Sequence, residues 1–184
     1  MELSGRTVAI LVENLYEDVE LWYPYYRLRE AGAEVVLVGP RSGETYASKH
    51  GYPAKSTLAA SEAKVDDVYA VVIPCGYAPD RMRRDAAMVA LVRDAHARGK
   101  LVAAICHAGW MLISAGIAKR GVRLTGFRSI KDDLVAAGAD YVDEPVVRHG
   151  NLITSRQPDD LPAFCREIVA TLARTRAPEA AGVR

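Results

Sequence analysis

The sequence predicts an α/β fold: a mostly parallel sheet with helices packed on both faces. Short apolar β-branched runs alternate with amphipathic helical stretches along the chain. The composition is globular, with 50% hydrophobic and 26% charged residues. The length, 184 residues, suits one domain of ordinary size. That domain is assigned to residues 1–176, and residues 177–184 are read as a frayed tail.

The elements follow in order. Thr7 to Val12 is short, apolar and β-branched, as a strand buried on both faces should be. Glu17 to Ala31 forms a helix with Leu21, Tyr25 and Leu28 on one face, Gly32 as its stop, and Pro24 disturbing its first turns. Glu34 to Val38 is a second strand. The polar stretch Thr45 to Leu58, with Gly51 and Pro53, leaves the main sheet as a small hairpin or excursion. Tyr69 to Pro74 is the third apolar strand, and Asp85 to Arg98 a helix with Met88, Leu91, Val92 and Ala95 facing the core. Leu101 to Ile105 is the fourth strand, followed by a small-residue helix from about Ala108 to Ala115. Ser129 to Ala137 is helical and stops at Gly138. Pro145 to Ser155 makes a hairpin turning at His149-Gly150-Asn151, and Leu161 to Arg174 is the last helix.

Several classes of function fall away. Lys plus Arg number 24 and Asp plus Glu 23, so a charge of +1 leaves no basic excess for nucleic acid. Leu101 to Ala118 carries no formal charge, but His107, Ser114, Gly109 and Gly116 argue for a buried strand running into a helix rather than a membrane span. Three Cys do not make a disulfide framework, and Met1 to Arg6 is no basic leader; a cytoplasmic location is expected. Cys75, Cys106, Cys165, His50, His96, His107 and His149 show no C-x-x-C or H-x₃-H spacing, so no metal is expected. No nucleotide loop is present, and no cofactor is expected. His149 sits at a hairpin tip, His96 on a polar helix face, and Cys165 in the core.

In a sheet of this kind the ligand site lies at the carboxyl ends of the strands. Cys106-His107 stands there, directly after Leu101 to Ile105. Ala103, Ala104, Ala108 and Gly109 flank it and permit the tight strand-to-helix turn that exposes a nucleophile. A thiol at a helix start has its pKa lowered by the dipole. Taken alone, Cys106 fits equally well a small buried residue ending a core strand. His107 tips the balance, because a buried histidine needs a polar partner.

The motifs around these residues resemble the PfpI/ThiJ family, part of the class I glutamine-amidotransferase-like superfamily. The resemblance runs through Tyr16-Glu17-Asp18-Val19-Glu20-Leu21 with Tyr23-Pro24, Lys49-His50-Gly51-Tyr52, Pro74-Cys75-Gly76-Tyr77-Ala78-Pro79-Asp80, Val102 to His107 with Leu112 to Gly116, Ile130-Lys131-Asp132-Asp133, and Ser155 to Leu161. It implies a flavodoxin-like three-layer sandwich with a nucleophile elbow. It implies Cys106 as nucleophile and Glu17 as the acid hydrogen-bonded to the thiol, with Glu13 the second choice. The N–H groups of Gly76 and His107 would form the oxyanion hole. Asp80 of a neighbouring subunit would orient the His107 ring, which makes the chain a homodimer or a trimer of dimers. Read without the resemblance, Asp80 fits equally an N-cap and Glu17 a helix-start acid.

The sequence departs from the family pattern at Cys75, where relatives have glycine, at Ala108-Gly109, where they have Gly-Pro, and at Asp80, where Glu is common. His50 receives no role. Trp22, Tyr23, Tyr25 and Tyr26 wrap round one helix, more than a core stripe needs, and suggest either core packing or a subunit interface. The activity implied is glutathione-independent glyoxalase III or deglycase chemistry on a small aldehyde, or peptide hydrolysis. A redox sensor or stress chaperone on the same scaffold, or an isonitrile hydratase, is the alternative.

Overall fold

The computed structural model describes residues 1–175; the expected tail at 177–184 lies outside them. The central sheet is built from seven strands. Chain order gives β1 (Thr7–Leu11), β2 (Glu34–Gly39), β3 (Thr45–Ala47), β4 (Pro53–Lys55), β5 (Leu58–Ala59), β6 (Ala70–Ile73), β7 (Leu101–Ile105), β8 (Arg123–Leu124), β9 (Asp140–Tyr141), β10 (Val146–His149) and β11 (Leu152–Ser155). The main sheet runs β10-β11-β7-β6-β1-β2-β5, parallel except for the β10-β11 hairpin. β1 and β7 keep their apolar runs buried from end to end apart from Thr7, as strands covered on both faces must.

The helices are α1 (Asp18–Glu30), α2 (Ala78–Met82), α3 (Ala86–Ala97), α4 (Gly109–Ser114), α5 (Lys131–Ala136) and α6 (Leu161–Arg174). α1 and α6 pack together on one side of the sheet, and α2 to α5 form the other layer. The three-layer α/β sandwich is therefore as the sequence predicts. Pro24 is buried inside α1, which runs through it unbroken. The polar excursion is the β3-β4 ribbon, after which β5 returns to the sheet edge. The sequence reading missed the short α2 and the two-residue β8-β9 pair, elements too small to show a period. It also missed the cap of α3, where Asp85 accepts from the N–H groups of Ala87 and Met88.

The strand order changes direction between β1 and β6, the switch point where parallel sheets open a crevice. Two loops meet there. The segment after β1 and the segment after β6 pair through Glu17 N–H to Cys75 C=O (3.0 Å) and Tyr77 N–H to Leu15 C=O (2.9 Å). Gly76 lies between these two bonds at φ +84. A Cβ on it would sit 2.3 Å from the Leu15 carbonyl oxygen. Only glycine satisfies both the backbone angle and the contact.

Gly76→Ala should therefore cost about 3 kcal/mol or more, since a rigid backbone clash adds to the left-handed strain. Gly116→Ala, with φ +69 but open space around it, should cost only about 1 kcal/mol. Urea denaturation of both variants checks this; equal losses would remove the close loop contact as the reason.

Candidate active site

Cys106 is held in the left-handed region at φ +62, rare for a residue with a side chain. A single 3₁₀ turn, Cys106–Ala108, leads from β7 into α4. Phe127 N–H donates to the Cys106 carbonyl at 3.1 Å and anchors the turn from the far side. Gly109 is needed one step on, because a Cβ there would meet Ile130 Cδ1 at 2.8 Å. The elbow expected from the sequence is present, and its sharpness comes from a strained residue with small neighbours.

The Cys106 thiol opens on a cleft of about 320 Å³ lined by Glu17, Glu20, Cys75, Gly76, His107 and Trp110, among others. Its immediate neighbours differ from expectation. His107 Nδ1 lies 3.2 Å from Cys106 Sγ and also 3.2 Å from Cys75 Sγ. His107 N–H donates to Cys75 Sγ at 3.0 Å. Both sulfurs and the ring nitrogen lie within 4.8 Å of one another. The spacing test could not find this trio, because β6 and β7 bring together residues 31 positions apart. Three such soft donors are also the kind of set that a thiophilic metal ion favours.

The carboxylate against the thiol is Glu20, not Glu17. Glu20 is fully buried, and its Oε2 accepts the Cys75 N–H at 2.9 Å. The Cys106 side chain lies close enough to influence its ionisation. Burial foremost, and then the neighbouring Cys75 charge, push its pKa from 4.5 up to about 9. Glu20 is therefore protonated at neutral pH, and Oε1, which has no hydrogen-bond partner among the described residues, is free to carry the proton. Glu17 stands at the N-cap position of α1 without a side-chain cap bond, and its carboxylate instead accepts from Lys49 Nζ at 2.7 Å, at the mouth of the cleft. The physical reason is helical geometry: three residues on from the cap, Glu20 joins the inward stripe of Glu20, Leu21, Pro24 and Leu28. An acid on a buried stripe, one turn before Pro24, was the available signal. Glu13 is also displaced from the role, since its carboxylate accepts the N–H of Asn14 at 2.6 Å.

The thiols titrate as a pair. Burial works against ionisation of Cys75, but hydrogen bonds from the Cys106 thiol and from His107 outweigh it and bring its pKa down to about 5. Cys106 is pushed up, first by its hydrogen bond to Cys75, then by burial and by the Glu20 charge. The dipole-lowered Cys106 expected from the sequence is thus replaced by a pair that shares one proton, and movement of that proton places the thiolate on either sulfur. The oxyanion hole is also changed. Gly76 N–H donates to no atom among the described residues, whereas His107 N–H is engaged by Cys75.

His107 Nε2 meets Ser129 Oγ at 2.9 Å, a partner 22 residues away that local sequence pattern does not reveal. Asp80 is exposed on α2 and makes no hydrogen bond to His107 of its own chain. His50, left without a role, pairs through Nδ1 with Asp18 Oδ2 at 2.7 Å beside the Glu17–Lys49 pair. No helix among the described residues is long and apolar enough to cross a membrane.

A protonated Glu20 has a consequence for stability. The folded state holds a proton that the unfolded chain releases above about pH 4.5, so stability should fall as pH rises toward 9. Glu20→Gln keeps an acceptor for the Cys75 N–H and has nothing to ionise. Its melting temperature should gain on the wild type progressively from pH 5 to pH 9. A difference that does not change with pH would remove the proton from Glu20.

The DJ-1/PfpI family model matches residues 6–171. Deglycase PfpI of Pyrococcus furiosus is 42% identical over 165 residues, covering 90% of this chain and 98% of the relative. Protein/nucleic acid deglycase 2 of Escherichia coli is 39% identical over 173 residues, covering 91% and 98%. Among solved structures, a two-domain protein of Anabaena variabilis with DJ-1/ThiJ/PfpI-like and ferritin-like domains superimposes with a TM-score of 0.90 at 42% identity. That match covers 97% of this chain and 52% of the Anabaena chain, so this chain spans about half of that protein. With the family model matched from residue 6 to residue 171 and relatives 42% and 39% identical over nearly their whole length, the chain belongs to the DJ-1/PfpI family.

Proposed function

We propose that the chain is a thiol-dependent enzyme for small reactive carbonyl compounds, converting methylglyoxal to lactate without glutathione. The observation that carries this reading is a neutral, buried Glu20 beside a thiol pair that holds one shared charge. The cleft is small, and Glu20 lines it together with both sulfurs, so a proton donor and a nucleophile border the same space.

The Cys106 thiolate adds to the aldehyde carbon, and Glu20 delivers its proton to the carbonyl oxygen. This gives a hemithioacetal. The Glu20 carboxylate then removes the proton from the former aldehyde carbon. An enediolate forms; the proton returns to the adjacent carbon, the hydroxyl proton on the former aldehyde oxygen passes to the neighbouring oxygen, and a lactyl thioester is left on Cys106. Water hydrolyses the thioester, releases lactate and frees the thiol. The net change is addition of one water to methylglyoxal. Both of the curated relatives described above carry the name deglycase, and carbonyl adducts present the same electrophilic carbon to the same residues. Peptide hydrolysis is less well served. A tetrahedral oxyanion would want two N–H donors, and Cys75 engages that of His107.

The same reading includes self-association. Trp22 packs at 5.2 Å against Tyr25, 5.8 Å against Tyr26 and 5.6 Å against Tyr52. Tyr23, Tyr26, Tyr52 and Val19 leave much of their surface exposed on this one face. Such a patch suits a second copy of the chain. A neighbouring copy is also the one source of an Asp80 for the His107 ring, joining Ser129 there.

The direct test is lactate release from methylglyoxal in the absence of glutathione. Cys106→Ser should abolish it, and Glu20→Gln should lower kcat by about 10²- to 10⁴-fold. Glu17→Gln should act mainly on KM. Wild type that turns over no methylglyoxal yet cleaves peptides would replace the carbonyl reading with hydrolysis. For assembly, Tyr26→Glu should weaken self-association by about tenfold or more in sedimentation velocity. A wild-type monomer at all concentrations would end the interface assignment.

A further inference from the structure

We propose that Cys75 is a resolving thiol, so that peroxide attack on the active-site pair ends in a reversible Cys75–Cys106 disulfide within one chain. Cys75 is the departure from the family pattern noted in the sequence, and in the carbonyl chemistry above it forms no bond to the substrate. The inference stands on the thiol geometry and holds whatever electrophile Cys106 normally attacks.

Four observations carry it. The two sulfurs lie within 4.8 Å of each other, and each is 3.2 Å from the same His107 nitrogen. Both cysteines lie just past the ends of neighbouring parallel strands: β6 and β7 pair Ile73 with Ala104, and Cys75 and Cys106 each follow two residues later. The pair shares one proton, so one sulfur is a thiolate while the other stays a thiol beside it. Finally, both side chains border a cleft that admits a small oxidant.

The chemistry balances with hydrogen peroxide as oxidant. The thiolate attacks one peroxide oxygen; the S–O bond forms as the O–O bond breaks, and the departing hydroxide takes up a proton to become water. The sulfur is now a sulfenic acid. The neighbouring sulfur, as thiolate, attacks it; the S–S bond forms, the S–O bond breaks, and hydroxide leaves and is protonated to a second water. Two thiols have given up two electrons, and one peroxide has become two waters. Without Cys75, the sulfenic acid waits for a second peroxide and goes on to sulfinic acid, which thiols do not reverse. Cys165 stays out of the reaction, because burial in α6 pushes its pKa up to about 12.

The experiment treats the full chain, with a chelator present, with a severalfold excess of hydrogen peroxide over protein and then reads intact mass and tryptic peptides without reduction. Arg81 and Lys100 separate the two cysteines, so trypsin distinguishes a linked pair from two free peptides. The wild type should lose two hydrogens, show the Cys75 and Cys106 peptides joined, and regain its mass in dithiothreitol. Cys75→Ser should instead gain two oxygens on Cys106 and fail to recover. Sulfinic acid on Cys106 of the wild type with Cys75 still free, a disulfide between chains, or no reaction at either sulfur would each overturn the proposal. Peptide mapping of the wild type decides the question even where the variant does not fold. A wild type that forms the disulfide but turns over no methylglyoxal keeps this inference and defeats only the carbonyl reading.

Discussion

The site depends on a strained backbone at one residue. Cys106 sits at φ +62, a conformation that costs a residue with a side chain about 1 kcal/mol or more. It persists because its surroundings fix it on every side. β7 enters from the middle of the sheet, held by β6 on one edge and β11 on the other. Phe127 N–H takes the Cys106 carbonyl, and His107 N–H is tied to the sulfur of Cys75. The strain is local, and the restraint is the whole sheet. That arrangement turns a buried strand end into a thiol that faces a cleft.

Electrostatics in the cleft follow from burial. Glu20, Cys75 and Cys106 crowd one dry space, where three full negative charges would be costly. The economical distribution is a proton on Glu20 and one more shared between the sulfurs. The His107 ring and N–H, together with the Cys106 thiol, stabilise the single charge that remains. The Glu17–Lys49 ion pair at the mouth and the Asp18–His50 hydrogen bond beside it are partly exposed to water. They shape the entrance and leave the proton chemistry to the interior. The substitution of cysteine at position 75 thus reaches beyond packing, because it changes both the charge of the pair and the donors left for an oxyanion.

Two loops carry this arrangement across the switch point. Leu15, itself at φ +65, presents its carbonyl to Tyr77 and allows no side chain at Gly76. The close approach brings the first turn of α1 over the ends of β6 and β7, and so brings Glu20 onto the Cys75 N–H. Ser129 then steadies the ring of His107 from the opposite layer. The polar groups that meet here come from four separate stretches of chain.

The sequence by itself determined the strands, the long helices and the place of the elbow. Those follow from local periodicity: a run such as Leu101 to Ile105 is apolar because both faces of its strand are covered, and that pattern is visible without any partner. Cys106 and His107 were legible for the same reason, as a polar pair at the end of an apolar strand. The choice between Glu17 and Glu20, the partner of His107 and the role of Cys75 were decided only by the tertiary structure. Glu17 and Glu20 differ by three residues in the chain but by the direction in which a helix turns them, one to Lys49 and water, the other to the thiol. Cys75 and Ser129 are distant from His107 in sequence and meet it through strand register and layer packing. Spacing rules are blind to such contacts, because the forces that make them act across the fold and not along the chain.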